Sequence, residues 1–174
     1  MSTLQNIEQL HEAIKAGLAA KLSGLGFIGH YPASEDGLAL PAVLLTLADM
    51  KPGRDPGSGE QALTVRLQAR LLVNAAQAKA EIAVRELAAR LALALKNENW
   101  GLPVGMAQFA QAGPDTSQAP AAGRLAWLVE WSHDIELGAP AWPYGDESKL
   151  TLMLGLDPET GRGKEAQYRA AGQE

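Results

Sequence analysis

The chain has 174 residues, of which 47% are hydrophobic, 20% charged and 5% aromatic, and its formal net charge is −5. This length is typical of one domain with a core large enough to need no disulfide or structural metal. The absence of cysteine excludes thiolate metal sites and a cysteine nucleophile. The acidic balance argues against nucleic-acid readout, and no apolar run is long enough to span a membrane.

The first predicted element is an amphipathic helix. Apolar residues recur at three- and four-residue spacings from Leu4 to Leu22. Ser2 or Thr3 is the expected cap, and Gly24 is the expected stop. A short apolar stretch follows at residues 27–31.

A hairpin of two strands is predicted next. The apolar run 42–47 follows a proline and favours a buried strand. Residues 51–59 contain two prolines and three glycines and are predicted to form a loop. Residues 63–73 alternate between apolar and polar side chains, which indicates an antiparallel sheet with one hydrophilic face.

A second helix and further strands are predicted in the second half of the domain. Residues 78–96 carry one apolar stripe at helical spacing and are predicted to form the second helix. The next segment is ambiguous and admits one strand at 104–109, followed by a flexible connector at 113–123. Residues 125–137 form a second long alternating strand, with His133 on its apolar face.

The last third of the chain differs in composition. Residues 139–145 are predicted to be extended, and 150–154 to form a short strand. Residues 157–174 contain no Leu, Ile, Val, Phe, Met or Trp, so they cannot build a core of their own. This tail is expected to be either disordered or an arm that orders on a partner. The predicted domains are therefore 1–138 and 139–174.

The motifs that could carry chemistry favour neither a cofactor nor a metal. Residues 24–29 match the dinucleotide-binding glycine pattern, but that pattern requires a strand before it and a helix after it. Here a predicted helix precedes it, so we interpret it as a helix stop and turn. His11, His30 and His133 lack the spacing of a helical metal pair, and we interpret His133 as a hydrogen-bonded core or interface histidine.

Charged residues mark the hydrophilic sides of the two long strands. Arg66 and Arg70 lie on the first strand, and Glu130, Asp134 and Glu136 on the second. The acidic set could hold a metal or act as an acid pair, but a side that faces solvent or a partner is favoured. The opposite charges could pair across strands within one sheet or between subunits. The sequence leaves both arrangements open.

The order of these segments carries a family resemblance. After the leading helix come Tyr31-Pro32, Leu40-Pro41-Ala42-Val43, Gly57-Ser58-Gly59-Glu60, Ala83-Val84-Arg85-Glu86-Leu87-Ala88, Trp127-Leu128-Val129-Glu130-Trp131 and Ile135-Glu136-Leu137-Gly138. This order resembles the tail-terminator (minor tail) proteins of long-tailed phages, especially those of Mu-like contractile-tailed phages and related tailocins. It covers roughly residues 4–138.

The resemblance implies an α+β fold, in which two long helices pack on one face of a mainly antiparallel sheet. The stretch after Gly138 departs from the shorter members of the family and is expected to be an extended C-terminal arm. It implies a structural protein without catalysis or cofactor. A homo-oligomeric, hexameric ring would cap the tail tube, end tube polymerisation and offer a docking surface for the head or neck. Its partners would be the tail tube protein and possible sheath, collar or neck proteins. It would assemble in the bacterial cytoplasm and reside in the virion or tailocin tail.

Two alternative functions stay open. One is a neck connector or tube-like ring protein of the same particle. The other is a small-molecule-binding α/β domain, which only the glycine pattern supports.

The family provides no residue-level motif for this chain, so candidate interface residues are chosen by expected exposure and by chemistry. They are Lys51, Arg54, Asp55, Arg66, Arg70, Glu130, Asp134, Glu136, Trp142 and Tyr144.

Overall fold

The computed structural model describes residues 4–32, 35, 37–55, 57–117, 120, 122–139, 153–154 and 160–170. The chain divides into two compact units, Met1–Ala141 and Trp142–Glu174. The boundary expected after residue 138 lies close to this division. Two candidate interface residues, Trp142 and Tyr144, lie outside the described residues.

The described residues of the first unit contain two helices and five strands. They are α1 (Ile7–Lys21), β1 (Phe27–His30), β2 (Ala42–Pro52), β3 (Gln61–Asn74), α2 (Ala80–Leu95), β4 (Gln108–Pro114) and β5 (Arg124–Leu137). The strands form one sheet in the order β1-β2-β3-β5-β4. None of the helices that the structure describes has the length and apolar character needed to cross a membrane.

The fold is α+β, but its sheet is mixed rather than mainly antiparallel as predicted. β1 runs parallel to β2, and the other neighbouring strands are antiparallel. β1 has four residues, which is too short for an alternation pattern to reveal its direction. The strands also contain more residues than the helices.

One face of the sheet packs against both helices. The fully buried side chains of this core include Leu10, Ile14 and Leu18 of α1, Val84 and Leu91 of α2, Val65, Leu67 and Leu71 of β3, and Val129, Trp131 and Ile135 of β5. These are the residues of the predicted helical stripes and strand alternations. The predicted apolar faces of both helices and both long strands are therefore confirmed.

The start of α1 differs from the prediction. The N-cap is Asn6, whose side chain accepts a hydrogen bond from the Gln9 backbone N–H at 2.8 Å. Leu4 precedes the helix, and its backbone bridges to Leu137 while its side chain is buried in the core. Leu4 is therefore a core residue that precedes the helix, although the apolar spacing had predicted it to be helical.

Two strand boundaries also need correction. Lys51 and Pro52 belong to β2, opposite Thr64 and Leu63, and not to the predicted loop. Among the described residues β1 covers only the first part of β2, so Pro52 occupies an edge position, where proline is tolerated. β4 begins at Gln108, downstream of most of the segment predicted at 104–109.

The second unit contains a small element of sheet. β6 (Met153–Leu154) pairs antiparallel with β7 (Arg169–Ala170), and a 3-10 helix, Glu165–Gln167, precedes β7. The Tyr168 hydroxyl accepts a hydrogen bond from the Gly161 backbone N–H at 2.9 Å. The strand predicted at 150–154 is seen at its last two residues, and its first three lie outside the described residues.

Candidate subunit-interaction surfaces

The hydrophilic face of the sheet centres on Arg66. Its guanidinium donates to Asp49 Oδ2 at 2.6 and 2.9 Å, and to Glu130 Oε1 at 2.8 Å. Asp49 lies directly opposite Arg66 on β2, and Glu130 lies on β5. Of the two arrangements left open by the sequence, Arg66 therefore adopts cross-strand pairing within one sheet.

Glu130 is the acceptor at the middle of this network. Gln68 and Gln111 both donate their side-chain amides to it, from β3 and β4. The hydrogen bond from Gln68, followed by those from Gln111 and Arg66, holds the pKa of Glu130 below its ordinary value. Glu130 is 6% exposed, so the expectation that it is an exposed contact residue is wrong.

Arg70 is also buried, at 3% exposure, and the expectation of exposure fails for it too. Its guanidinium lies 3.2 Å from Glu35 Oε1 and 2.9 Å from Asp115 Oδ2. Tyr31 donates its hydroxyl to the same Glu35 oxygen at 3.1 Å. Arg70 thus ties the connection before β2 and the residue after β4 to the sheet.

Four candidate residues come together at the other end of the hydrophilic face. Arg54, Asp55, Asp134 and Glu136 line one cleft between the β2–β3 hairpin tip and the segment before β4. All four are exposed, and Thr64 donates its hydroxyl to Asp134 at 2.6 Å. Three carboxylates and one guanidinium give the cleft a net acidic lining, which suits a basic group of a partner. We call this surface the hairpin cleft.

Lys51 is exposed next to the tip of the same hairpin, on β2. The structure therefore places five candidates at or near the hairpin tip. Arg66 and Glu130 pair with each other within the sheet, and Arg70 pairs with Glu35 and Asp115 in the connections beside it.

An exposed apolar surface lies where the last turns of α2 meet the edge strand β4. We call it the α2–β4 patch. It comprises Ala89, Ala92, Leu93, Ala107 and Phe109 and is bordered by Lys96 and Asn97. Leu93 is 72% exposed and Phe109 is 49% exposed. Among the described residues no strand pairs with the outer edge of β4.

Sequence reasoning missed this patch, although a signal existed. Residues 91–95 read Leu-Ala-Leu-Ala-Leu, so the last turns of α2 have no polar face. A helix that is apolar all round is normally buried on all sides. Phe109 is the last residue of the strand predicted at 104–109, but the sequence did not indicate that this strand lies at an edge of the sheet.

His133 fits its interpretation as a satisfied core histidine. Its Nδ1 lies 2.7 Å from the Gly105 carbonyl oxygen, and its Nε2 accepts from Trp100 Nε1–H at 2.9 Å. Burial lowers the pKa of His133 below its ordinary value. Its role is therefore structural, as a bridge between β5 and the segment that precedes β4.

The glycine pattern at 24–29 follows α1, and its residues 27–29 lie in β1, so a helix precedes the pattern and the pattern runs into a strand. This is the reverse of what pyrophosphate binding requires. Among the residues that the structure describes, no group of three or more His, Cys, Asp or Glu side chains could hold a metal ion. Comparison of the sequence with protein-family models and with curated proteins finds no match.

Proposed function

We propose that the protein is a structural component of a phage or tailocin tail, of the tail-terminator kind. In this role six copies form a ring on the last ring of the tail tube, stop its polymerisation and offer a docking surface for the head or neck. The proposal is supported by the order α1, β1, β2, β3, α2, β4, β5, because the segments that resemble tail terminators lie on these elements or in the connections between them.

The observation that carries the proposal is the α2–β4 patch. Contiguous apolar surface on a soluble domain marks a protein contact, and an open strand edge invites a neighbouring chain. The opposite edge of the sheet is the four-residue strand β1, so the two edges of the sheet are unlike. Contacts between two unlike edges repeat from copy to copy, and they close into a ring when the rotation permits.

The hairpin cleft supports a second contact through a different set of residues. Arg54 and Asp55 lie at the tip of the β2–β3 hairpin, and no residue that lines the cleft belongs to the α2–β4 patch. A terminator needs a lateral contact to its own copies and a separate contact to the tube. We assign the α2–β4 patch to the first and the hairpin cleft to the second.

The lateral contact is tested by comparing Leu93→Lys with Ile82→Lys. Both residues are exposed and apolar and lie on α2, but only Leu93 belongs to the patch. We expect wild-type protein and Ile82→Lys to form six-fold rings on the tail tube under negative stain, and Leu93→Lys to leave the tube end bare. Circular dichroism checks that all three proteins are folded. Intact rings of Leu93→Lys would remove the patch from the lateral contact.

The biological role is tested by deleting the gene in the strain that produces the particle. We expect overlong or headless tails, restored to normal by the wild-type gene and by Ile82→Lys but not by Leu93→Lys. Normal-length tails joined to heads would refute the proposal. Normal-length tails that lack heads would instead favour a neck connector.

A metabolite-binding domain makes a contrary prediction. A ligand at about 100 times its dissociation constant stabilises its protein by roughly 2.7 kcal/mol, which a thermal-shift screen detects. We expect no shift with any common nucleotide. A clear shift would favour the small-molecule alternative.

A further inference from the structure

Two histidines that are distant in sequence meet between α1 and β1. His11 Nδ1 lies 3.2 Å from His30 Nδ1. The two rings are nearly parallel, at 18°, and their centroids are 5.1 Å apart. Which of the two facing nitrogens carries a hydrogen depends on the tautomer of each ring.

The proton on His30 is fixed by a carboxylate. His30 Nε2 lies 2.9 Å from Glu12 Oε1, and an ionised carboxylate only accepts hydrogen bonds. Nε2 of His30 therefore carries a hydrogen, and neutral His30 presents a lone pair at Nδ1, towards His11.

The protons on His11 cannot satisfy both of its nitrogens. Its Nε2 is buried and has no hydrogen-bond partner in the part of the chain that the structure describes. If the hydrogen sits on Nδ1, the buried Nε2 keeps an unused lone pair. If it sits on Nε2, a buried N–H lacks an acceptor and two lone pairs face each other across 3.2 Å.

We propose that His11 and His30 form a binding site for a divalent first-row transition-metal ion, of which Zn²⁺ is the simplest representative. Both Nδ1 atoms coordinate the ion, and water completes the coordination shell. Zn–N bonds are about 2.0–2.1 Å long, so nitrogens 3.2 Å apart subtend an angle of about 100° at the metal, close to tetrahedral.

The surroundings suit a metal ligand. A ligating histidine commonly donates its other ring N–H to a carboxylate, which fixes the tautomer, and Glu12 occupies that position at His30. The bound ion would join α1 to the edge strand β1, and this inference does not depend on the proposed function.

Calorimetric titration of metal-free full-length protein with ZnCl₂ tests the site. We expect one ion per chain, with weaker binding at pH 6 than at pH 7.5 because protons compete for the ligands. His11→Gln and His30→Gln should each weaken binding at least about tenfold, and Glu12→Ala by about 10–100-fold. Lys15→Ala is the matched control, because Lys15 also pairs with Glu12 but offers no ligand nitrogen here.

A measurement on the wild-type protein covers the case in which a variant does not fold. In ¹⁵N spectra of the three imidazoles, Zn²⁺ should shift the Nδ1 resonances of two histidines and leave His133 unchanged. Absence of binding by the wild type, or equal binding by the His11→Gln/His30→Gln double variant, would overturn the proposal. Loss of rings with retained metal binding would instead count only against the proposed function.

Discussion

The two faces of the central sheet are built from the same strands but are stabilised differently. On the helix-packed face, alternate residues of β3 and β5 such as Leu67 and Trp131 are buried against α1 and α2. On the opposite face, charged residues such as Arg66 and Glu130 satisfy one another across strands. Apolar burial is non-directional and roughly proportional to the area buried, whereas a charge needs a partner at a defined distance. Single substitutions should therefore act differently on the two faces.

The opposite face is not hydrophilic throughout, as the alternation had suggested. At one end Ala42, Leu44, Leu72 and Ala126 form a second buried cluster, and the partly buried residues Phe27, Tyr31, Leu38 and Leu40 pack against it. A parallel pair requires a connection that crosses over the sheet. Because β1 is parallel to β2, residues of that connection cover this end of the face.

The largest expected effect lies on the helix-packed face. Trp131 is 0% exposed at the centre of the core. Trp131→Ala should lower the free energy of unfolding by about 3–5 kcal/mol, because it removes a large apolar surface and leaves a cavity. Urea denaturation of the isolated protein measures this change.

Ser132→Ala is the matched control on the opposite face. Ser132 is the next residue of β5 and is only partly buried. Its replacement should change the free energy of unfolding by no more than about 0.5 kcal/mol. Equal effects at the two positions would mean that the faces do not differ as described.

Most of the helix-packed face could be predicted from the sequence, because its buried residues recur with the period of a helix or of a strand. The stripe of α2 and the alternation of β3 and β5 each repeat often enough to identify the buried side. Strand direction and the exact ends of β2 and β4 could not be predicted. Direction depends on long-range pairing, and the ends depend on single residues such as Pro52 and Gln108.

The candidate surfaces were less predictable. The acidic and basic residues of the hairpin cleft were named because loops and polar strand faces are usually exposed. Arg70 and Glu130 were misassigned, because residue type does not reveal whether a neighbouring connection buries a charge with its partner. The His11–His30 contact joins two elements 19 residues apart, and no local pattern encodes it.

The second prediction concerns the charged face. Arg70→Ala should lower the free energy of unfolding by about 3 kcal/mol at neutral pH, because it leaves the carboxylates of Glu35 and Asp115 buried without the guanidinium. Urea denaturation of the variant and the wild type at neutral pH measures this loss.

Arg66→Ala is the control for burial, because Arg66 lies on the same face as Arg70 but is more exposed. The Arg66 side chain is 42% exposed, and Glu130 would retain its hydrogen bonds from Gln68 and Gln111. We expect a clearly smaller loss than for Arg70→Ala, since solvent screens an exposed pair. A larger loss at Arg66 would mean that the hydrophilic network, and not the buried pair, anchors this face.

The smallest expected effect is a pH dependence on the helix-packed face, centred on His133. Burial holds the pKa of His133 below its ordinary value near 6.5. In the unfolded chain the imidazole binds a proton at about the ordinary pKa, so below that value the unfolded state binds more protons than the folded state. The free energy of unfolding should therefore fall as the pH drops below about 6.5, by at most about 1.4 kcal/mol per pH unit for each such histidine.

His133→Gln isolates this contribution between pH 7.5 and 5. The amide can accept from Trp100 Nε1–H and donate to the Gly105 carbonyl, as neutral His133 does, but it does not titrate. Protonation of His133 would place a hydrogen on Nε2, facing the Trp100 N–H, so the charged form must break this hydrogen bond. The variant should therefore show a flatter pH profile, with a residual slope from His11, whose pKa burial also lowers. Identical slopes in the variant and the wild type would show that His133 takes up a proton without opening the core, contrary to its buried position between Trp100 and Gly105.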